Sequence, residues 1–165
     1  MKSCLRFAII TVIIAVCSVF LFGCKEQAGE KPITVTKTAA EIFADVKAVS
    51  GFGNMTAVPT RDYMDIYGIA NNNVEDAAWY MSENPSLNGD EVAIFKAVDE
   101  QFAKELVSVF ESRIERQKQV AESYSPEELA KYQKTQVTRV GNWVYYVVGD
   151  NYTQMMNVLR DTIGG

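Results

Sequence analysis

Asn88-Gly89-Asp90, followed by Glu91-Val92-Ala93-Ile94-Phe95-Lys96-Ala97-Val98, is the stretch on which the reading of this chain turns. Asn-Gly-Asp is turn chemistry, because Gly accepts positive φ and Asn and Asp side chains bond their own backbone. Behind the turn, Val92, Ile94 and Val98 alternate with Ala93, Phe95 and Ala97, so a strand placed here is apolar on both faces. Such a strand belongs inside a sheet and not at its edge. Working outward, Val74 to Ser82 sets Ala77, Trp79 and Met81 against Ala78 and Tyr80 before Asn84-Pro85 breaks the pattern. The two strands predict a hairpin over about 74–98.

A second hairpin is predicted over about 135–149, turning at Gly141-Asn142, with Trp143 to Val148 again apolar on both faces. Between the hairpins, Asp99 caps a long helix with Phe102, Leu106, Val109, Phe110 and Ile114 on one stripe, running to about Ser123. Ser125-Pro126-Glu127-Glu128 then restarts helix with a cap, a proline at the first helical position and a capping-box glutamate. Upstream, Thr38 caps a helix over about 39–49, and a short helix spans about 61–67 between Pro59 and Gly68. After the second hairpin, Asp150 or Asn151 caps a last helix that buries Met155, Met156, Leu159 and Ile163. The expected fold class is α+β: a four-stranded antiparallel sheet of two hairpins, with helices packed on one face.

The N-terminus follows a different logic. Lys2 and Arg6 precede sixteen uncharged residues, Phe7 to Phe22, and small Gly23 then stands before Cys24 and the polar Lys25-Glu26-Gln27. A basic start, an apolar segment and a small residue are the layout of a secretory signal. Basic residues stay on the cytoplasmic side, so the rest of the chain is expected outside. Leu21-Phe22-Gly23-Cys24 resembles the bacterial lipobox, although Phe22 is bulkier than the residue usual at its position. That resemblance implies a signal peptide over 1–23, a diacylglycerol on the Cys24 thiol with palmitate-type acyl chains, and attachment to the extracytoplasmic face of the cell membrane. Residues 24–37 then read as a tether with a reach of about 20 Å, and 38–165 as a single α+β domain.

Losing residues 1–23 removes Lys2 and Arg6 and moves the formal charge from −5 to −7. An acidic domain is a poor match for nucleic acid, which needs a basic face. Cys4 and Cys17 fall inside the signal, so the mature domain is expected to rely on packing in place of disulfides. The chain contains no histidine, which excludes histidine acid–base catalysis, Ser-His and Cys-His nucleophiles and the usual zinc sites. No metal, no cofactor and no catalytic residue is expected.

Three groups remain as candidates. Trp79, Trp143 and Tyr145 belong to an aromatic set with Tyr80 and Tyr146 that could stack on sugar rings or peptide side chains, or could fill the core as cross-strand pairs. Asp90, Glu91, Asp99 and Glu100 stand at the two ends of one strand, roughly 25 Å apart, which suits solvated turn and cap residues better than a calcium or glycosidase site. Arg113, Arg116 and Lys118 sit among Glu111, Glu115 and Glu122, which suits surface ion pairs, with a core-flanking salt bridge as the other role for Arg113.

Gly89 to Ala97, with Tyr67-Gly68-Ile69 before it, Arg113 and Gln117 on the helix after it, and Gly141-Asn142-Trp143-Val144 near the end, resembles domain-of-unknown-function family 4358. Those proteins are small bacterial lipoproteins, and the resemblance covers about residues 38–163. It implies an envelope location and carries no assigned activity. The functional expectation is therefore a membrane-anchored binding or accessory domain for an envelope protein or cell-wall component. The alternatives are a carboxylate-dependent cell-wall enzyme and a small solute-binding lipoprotein.

Overall fold

The computed structural model describes residues 34–123 and 125–165. The expected signal peptide over 1–23, Cys24 and the expected tether as far as residue 33 lie outside the described residues. The helices begin where their caps are written. Thr38 Oγ1 accepts from the Glu41 N–H while the Glu41 carboxylate accepts from the Thr38 N–H, a complete capping box that opens α1, Ala39–Ser50. Gly51, at φ 73°, closes it in the left-handed conformation that glycine adopts without strain. Asp99 caps α3, Glu100–Glu122, by accepting from Phe102 N–H, and Ser125 caps α4, Pro126–Lys134, by accepting from Glu128 N–H. α2 covers Thr60–Tyr67 and α5 covers Tyr152–Ile163. Asn151 stands at the N-cap of α5, but its amide donates to the Val49 carbonyl at 3.2 Å and so ties α5 to the end of α1.

The sheet has five strands in place of the four expected. They are β1 Met55–Ala57, β2 Val74–Ser82, β3 Glu91–Ala97, β4 Thr138–Val140 and β5 Trp143–Val148, in the order β1-β2-β3-β5-β4, antiparallel throughout. The added strand is β1, three residues that pair Thr56 with Met81 on the outer side of the first hairpin. β4 starts three residues later than expected, because α4 runs on to Lys134. Thr135 then turns the chain, its hydroxyl 3.0 Å from both the Lys131 and the Val147 carbonyls. The two strands apolar on both faces, β3 and β5, are neighbours in the middle of the sheet, with Phe95 opposite Val144 and Ile94 opposite Tyr145.

Helices cover both faces, which corrects the one-face expectation. α1 and α5 lie on one side, where Ile42, Val46, Met155, Leu159 and Ile163 meet Val92, Ile94, Tyr145 and Val147. On the other side Leu106, Phe110 and Ile114 of α3, with Tyr63 of α2 and Tyr132 of α4, meet Trp79, Ala93, Phe95, Val144 and Tyr146. The physical reason was already visible in β3 and β5. A strand with apolar side chains on both faces exposes one set to water unless each face is covered.

Candidate functional site

Successive strand residues point to opposite faces, so Glu91, the first residue of β3, shares its face with Ala93 and Phe95 and points toward α3. It is 2% exposed. A carboxylate removed from water needs donors to replace its hydration, and three residues distant in sequence supply them. Trp79 Nε1 donates to Oε1 at 2.6 Å, Arg113 donates from Nε to Oε1 and from Nη2 to Oε2 at 2.7 Å each, and the Tyr146 hydroxyl donates to Oε1. The paired Arg113 bonds are the side-on fork that matches a carboxylate. Arg113 also donates from Nη1 to the Tyr67 hydroxyl at 3.1 Å and lies 5.2 and 5.4 Å from the Tyr67 and Trp79 ring centres.

The electrostatics follow from this packing. Burial opposes the Arg113 charge, but the charge of Glu91 and its hydrogen bonds prevail and hold the guanidinium above its ordinary range. Burial, followed by the Glu91 charge, pushes the Tyr146 hydroxyl well above the ordinary tyrosine value. Burial also raises Tyr67. Glu91 thus receives four donors, about as many as a carboxylate can accept, all from side chains of this fold. The network joins β3, β2, β5, α2 and α3, with three of the four bonds to Glu91 on Oε1 and one on Oε2.

A second charged cluster ties α4 to the turn before β3. Lys131 Nζ is 2.9 Å from Asp90 Oδ1, 3.0 Å from Glu128 Oε1 and 3.3 Å from Asn88 Oδ1. Burial works against its charge, yet the hydrogen bonds to Asp90 and Glu128 outweigh this and raise its pKa. Glu128 also accepts from Gly89 N–H at 2.6 Å. A Cβ on Gly89 would lie 2.5 Å from the Tyr132 hydroxyl, so the turn needs glycine for room. Asp90 and Glu91 are therefore buried ion-pair partners, not solvated turn residues. At the other end of the strand, Asp99 is the exposed helix cap expected of it.

The three aromatic candidates do not converge. Trp79 packs on the α3 face, against Tyr63, Tyr67, Phe95 and Phe110. Trp143 and Tyr145 point to the opposite face, where the Tyr145 hydroxyl donates to the Gly164 carbonyl at 2.5 Å. All three are buried, so their rings fill the core and offer no face for stacking on a ligand. Of the basic candidates, Arg113 turns inward and Arg116 is exposed, while Lys118 makes a long contact of 3.7 Å with Glu115. Of the two roles open to Arg113 from the sequence, a surface ion pair and a core-flanking salt bridge, the structure has the second, with Glu91 as a partner that the sequence did not name. The available signal was a glutamate opening an otherwise apolar central strand.

Three hollows adjoin one another by shared lining residues. One hollow of about 260 Å³ lies between β1, the end of β2 and α2, lined by Ala57, Val58, Pro59, Ile66, Tyr67, Met81 and Pro85, with Asp62 and Glu83 among its polar residues. A second shares Ile66 and Tyr67 with it and adds Val109 and Arg116. A third shares Pro85 and continues over Leu87, Val120 and Tyr132. Among the described residues, no group of histidine, cysteine, aspartate or glutamate side chains is arranged to hold a metal ion, and no helix is long and apolar enough to cross a membrane.

A profile of the domain of unknown function DUF4358 matches residues 48–149, the greater part of the chain, and the chain belongs to that family. The matched span contains Trp79, Glu91, Arg113 and Tyr146, and so the whole carboxylate–guanidinium network. No curated protein and no solved structure matches the chain.

Proposed function

We propose that this protein is a lipid-anchored extracytoplasmic lipoprotein, held through Cys24, whose domain binds an envelope protein or cell-wall component and is not itself an enzyme. The anchoring half of this reading rests on Leu21-Phe22-Gly23-Cys24 behind a basic, then apolar, N-terminal segment. The binding half rests chiefly on where apolar side chains meet water. Ile66, Leu87 and Val120, 63%, 81% and 44% exposed, line the three adjoining hollows. Contiguous apolar surface of this kind marks interaction sites more often than single exposed residues do. The buried charges support the same reading, because Glu91, Arg113, Asp90 and Lys131 are engaged with one another.

Two measurements test it in cells. Metabolic labelling with an alkynyl fatty acid should tag the wild-type chain and leave Cys24→Ala unlabelled and released from membranes. A variant that stays unlabelled yet membrane-bound with its apolar N-terminus retained refutes the anchor. Photo-crosslinkers placed at Ile66 and Leu87 should trap one discrete envelope species, whereas crosslinks spread evenly with those from exposed Lys47 on α1 would argue against a dedicated binding surface.

A further inference from the structure

The sheet has an unfinished edge beside the first hollow. β1 is an edge strand, and among the described residues nothing pairs with its outer side. Its phase is set by two bonds, Val58 N–H to the Trp79 carbonyl at 2.8 Å and Glu83 N–H to the Asn54 carbonyl at 3.2 Å, which place residues 54, 56 and 58 in the ladder with β2. In an antiparallel ladder the intervening residues direct N–H and C=O the other way. Met55 and Ala57 therefore present backbone donors and acceptors outward, and Thr56 and Ala57 are exposed. Native proteins blunt such an edge with short length, charge, proline or a covering element, and of these the three-residue β1 has its short length. β1, Met-Thr-Ala, carries neither charge nor proline, and the apolar hollow lies at its side.

We infer that this edge is a docking strand for an extended segment of a partner protein in which an apolar side chain alternates with lysine or arginine. The inference rests on the binding reading above and names its site and its ligand chemistry. The backbone of such a segment would bond to Met55 and Ala57, extending the sheet beyond β1. On the face of the added strand toward the hollow, the basic side chains would lay their apolar stems along Val58, Pro59, Ile66, Tyr67 and Met81 and carry their charges to Asp62 and Glu83, while the alternate apolar side chains would continue the opposite face of the sheet. The charge preference comes from Asp62 and Glu83 in that lining and from the formal charge of −7 on the chain without residues 1–23. Asp62 has only a 3.4 Å contact with the highly exposed Arg61 to offset it, so a cation from outside competes well.

The test uses the protein from residue 24 onward with Cys24→Ser and, as probe, a fluorescent blocked heptapeptide of alternating lysine and valine. Its controls are the glutamate–valine counterpart and the lysine peptide N-methylated at every valine. The expected result is binding at least tenfold tighter for the lysine peptide than for the glutamate one, and loss of binding on N-methylation. Ala57→Pro removes one outward N–H from a position where edge strands accept proline, and it should weaken binding at least fivefold with an unchanged circular dichroism spectrum. If that variant fails to fold, Ile66→Asp, on the exposed face of α2, and the pair Asp62→Asn with Glu83→Gln should each weaken binding by the same factor.

Three results would overturn the inference. One is the absence of lysine-peptide binding up to millimolar concentration. Another is binding indifferent to N-methylation and to these substitutions, which would reduce it to diffuse charge attraction. The last is a dimer in light scattering that Ala57→Pro dissolves, which would assign the edge to a second copy. Crosslinking at Leu87 that persists alongside a failed titration would retain the binding reading and remove only this site.

Discussion

Under α1 and α5, the sheet meets its helices through Ile42, Val46, Val92, Ile94, Tyr145, Val147, Met155 and Leu159. Under α2, α3 and α4 the same strands set Glu91 and Arg113 among Trp79, Phe95, Phe110 and Tyr146. The first face is closed by shape and apolar area. Its stability is distributed, and each side chain contributes in proportion to what it buries. The second face combines aromatic packing with an ion pair whose halves are each costly to bury alone. Such a pair adds little over an apolar replacement, but losing one member leaves a charge without its partner. The two faces should therefore respond differently to the same kind of damage.

The largest effect is expected on the charged face. Glu91→Ala leaves the Arg113 guanidinium and the Trp79 and Tyr146 donors unsatisfied and should cost about 3–5 kcal/mol in urea unfolding. The double replacement Glu91→Leu with Arg113→Met should recover most of that loss, and a double variant as unstable as Glu91→Ala would break the contrast between the faces. On the apolar face Leu159→Ala should cost on the order of 3 kcal/mol through lost burial and a residual cavity. No second substitution of charge type is needed to explain its cost.

Tyr146→Phe sharpens the same comparison by removing a single donor to Glu91, at about 1.5–3 kcal/mol for a hydrogen bond to a charged group. It also carries a pH signature. Burial and the Glu91 charge raise the Tyr146 pKa above its ordinary 10.0 in the folded state. The folded chain thus holds this proton more tightly than the unfolded chain does. The associated stability is complete below pH 10 and declines as pH rises from there toward the folded value. In chemical denaturation above pH 10, Tyr146→Phe should show a shallower loss of stability than the wild type. The smallest effect is at the entry to the apolar face, where Thr38→Ala removes one half of the capping box and should cost about 1 kcal/mol.

Much of the local structure was legible because its causes are local. Thr38, Asp99 and Ser125 each accept the backbone N–H three residues on, as their positions before apolar periodic segments require. Gly141 turns the second hairpin at φ 56°, as Gly-Asn between two alternating segments predicts. β1 was not legible, because three residues show no periodicity and their strand character exists only by pairing with β2. The candidate site was half legible. A place beside the core was one of two roles legible for Arg113, and Glu91 as its partner was not legible, since a turn-adjacent glutamate is solvated unless the strand behind it is central and covered.

By itself, the sequence determined where the helices start and stop, where the hairpins turn, that β3 and β5 are central, and that histidine chemistry is excluded. Each of these depends on residue type and on spacing of a few positions, which the chain carries wherever it folds. Only the tertiary structure decided that helices cover both faces, that Glu91 meets Arg113, Trp79 and Tyr146, and that β1 ends the sheet with a free edge beside an apolar hollow. Those outcomes depend on contacts between residues from 12 to more than 100 positions apart, which burial and hydrogen-bond satisfaction select for the whole chain at once.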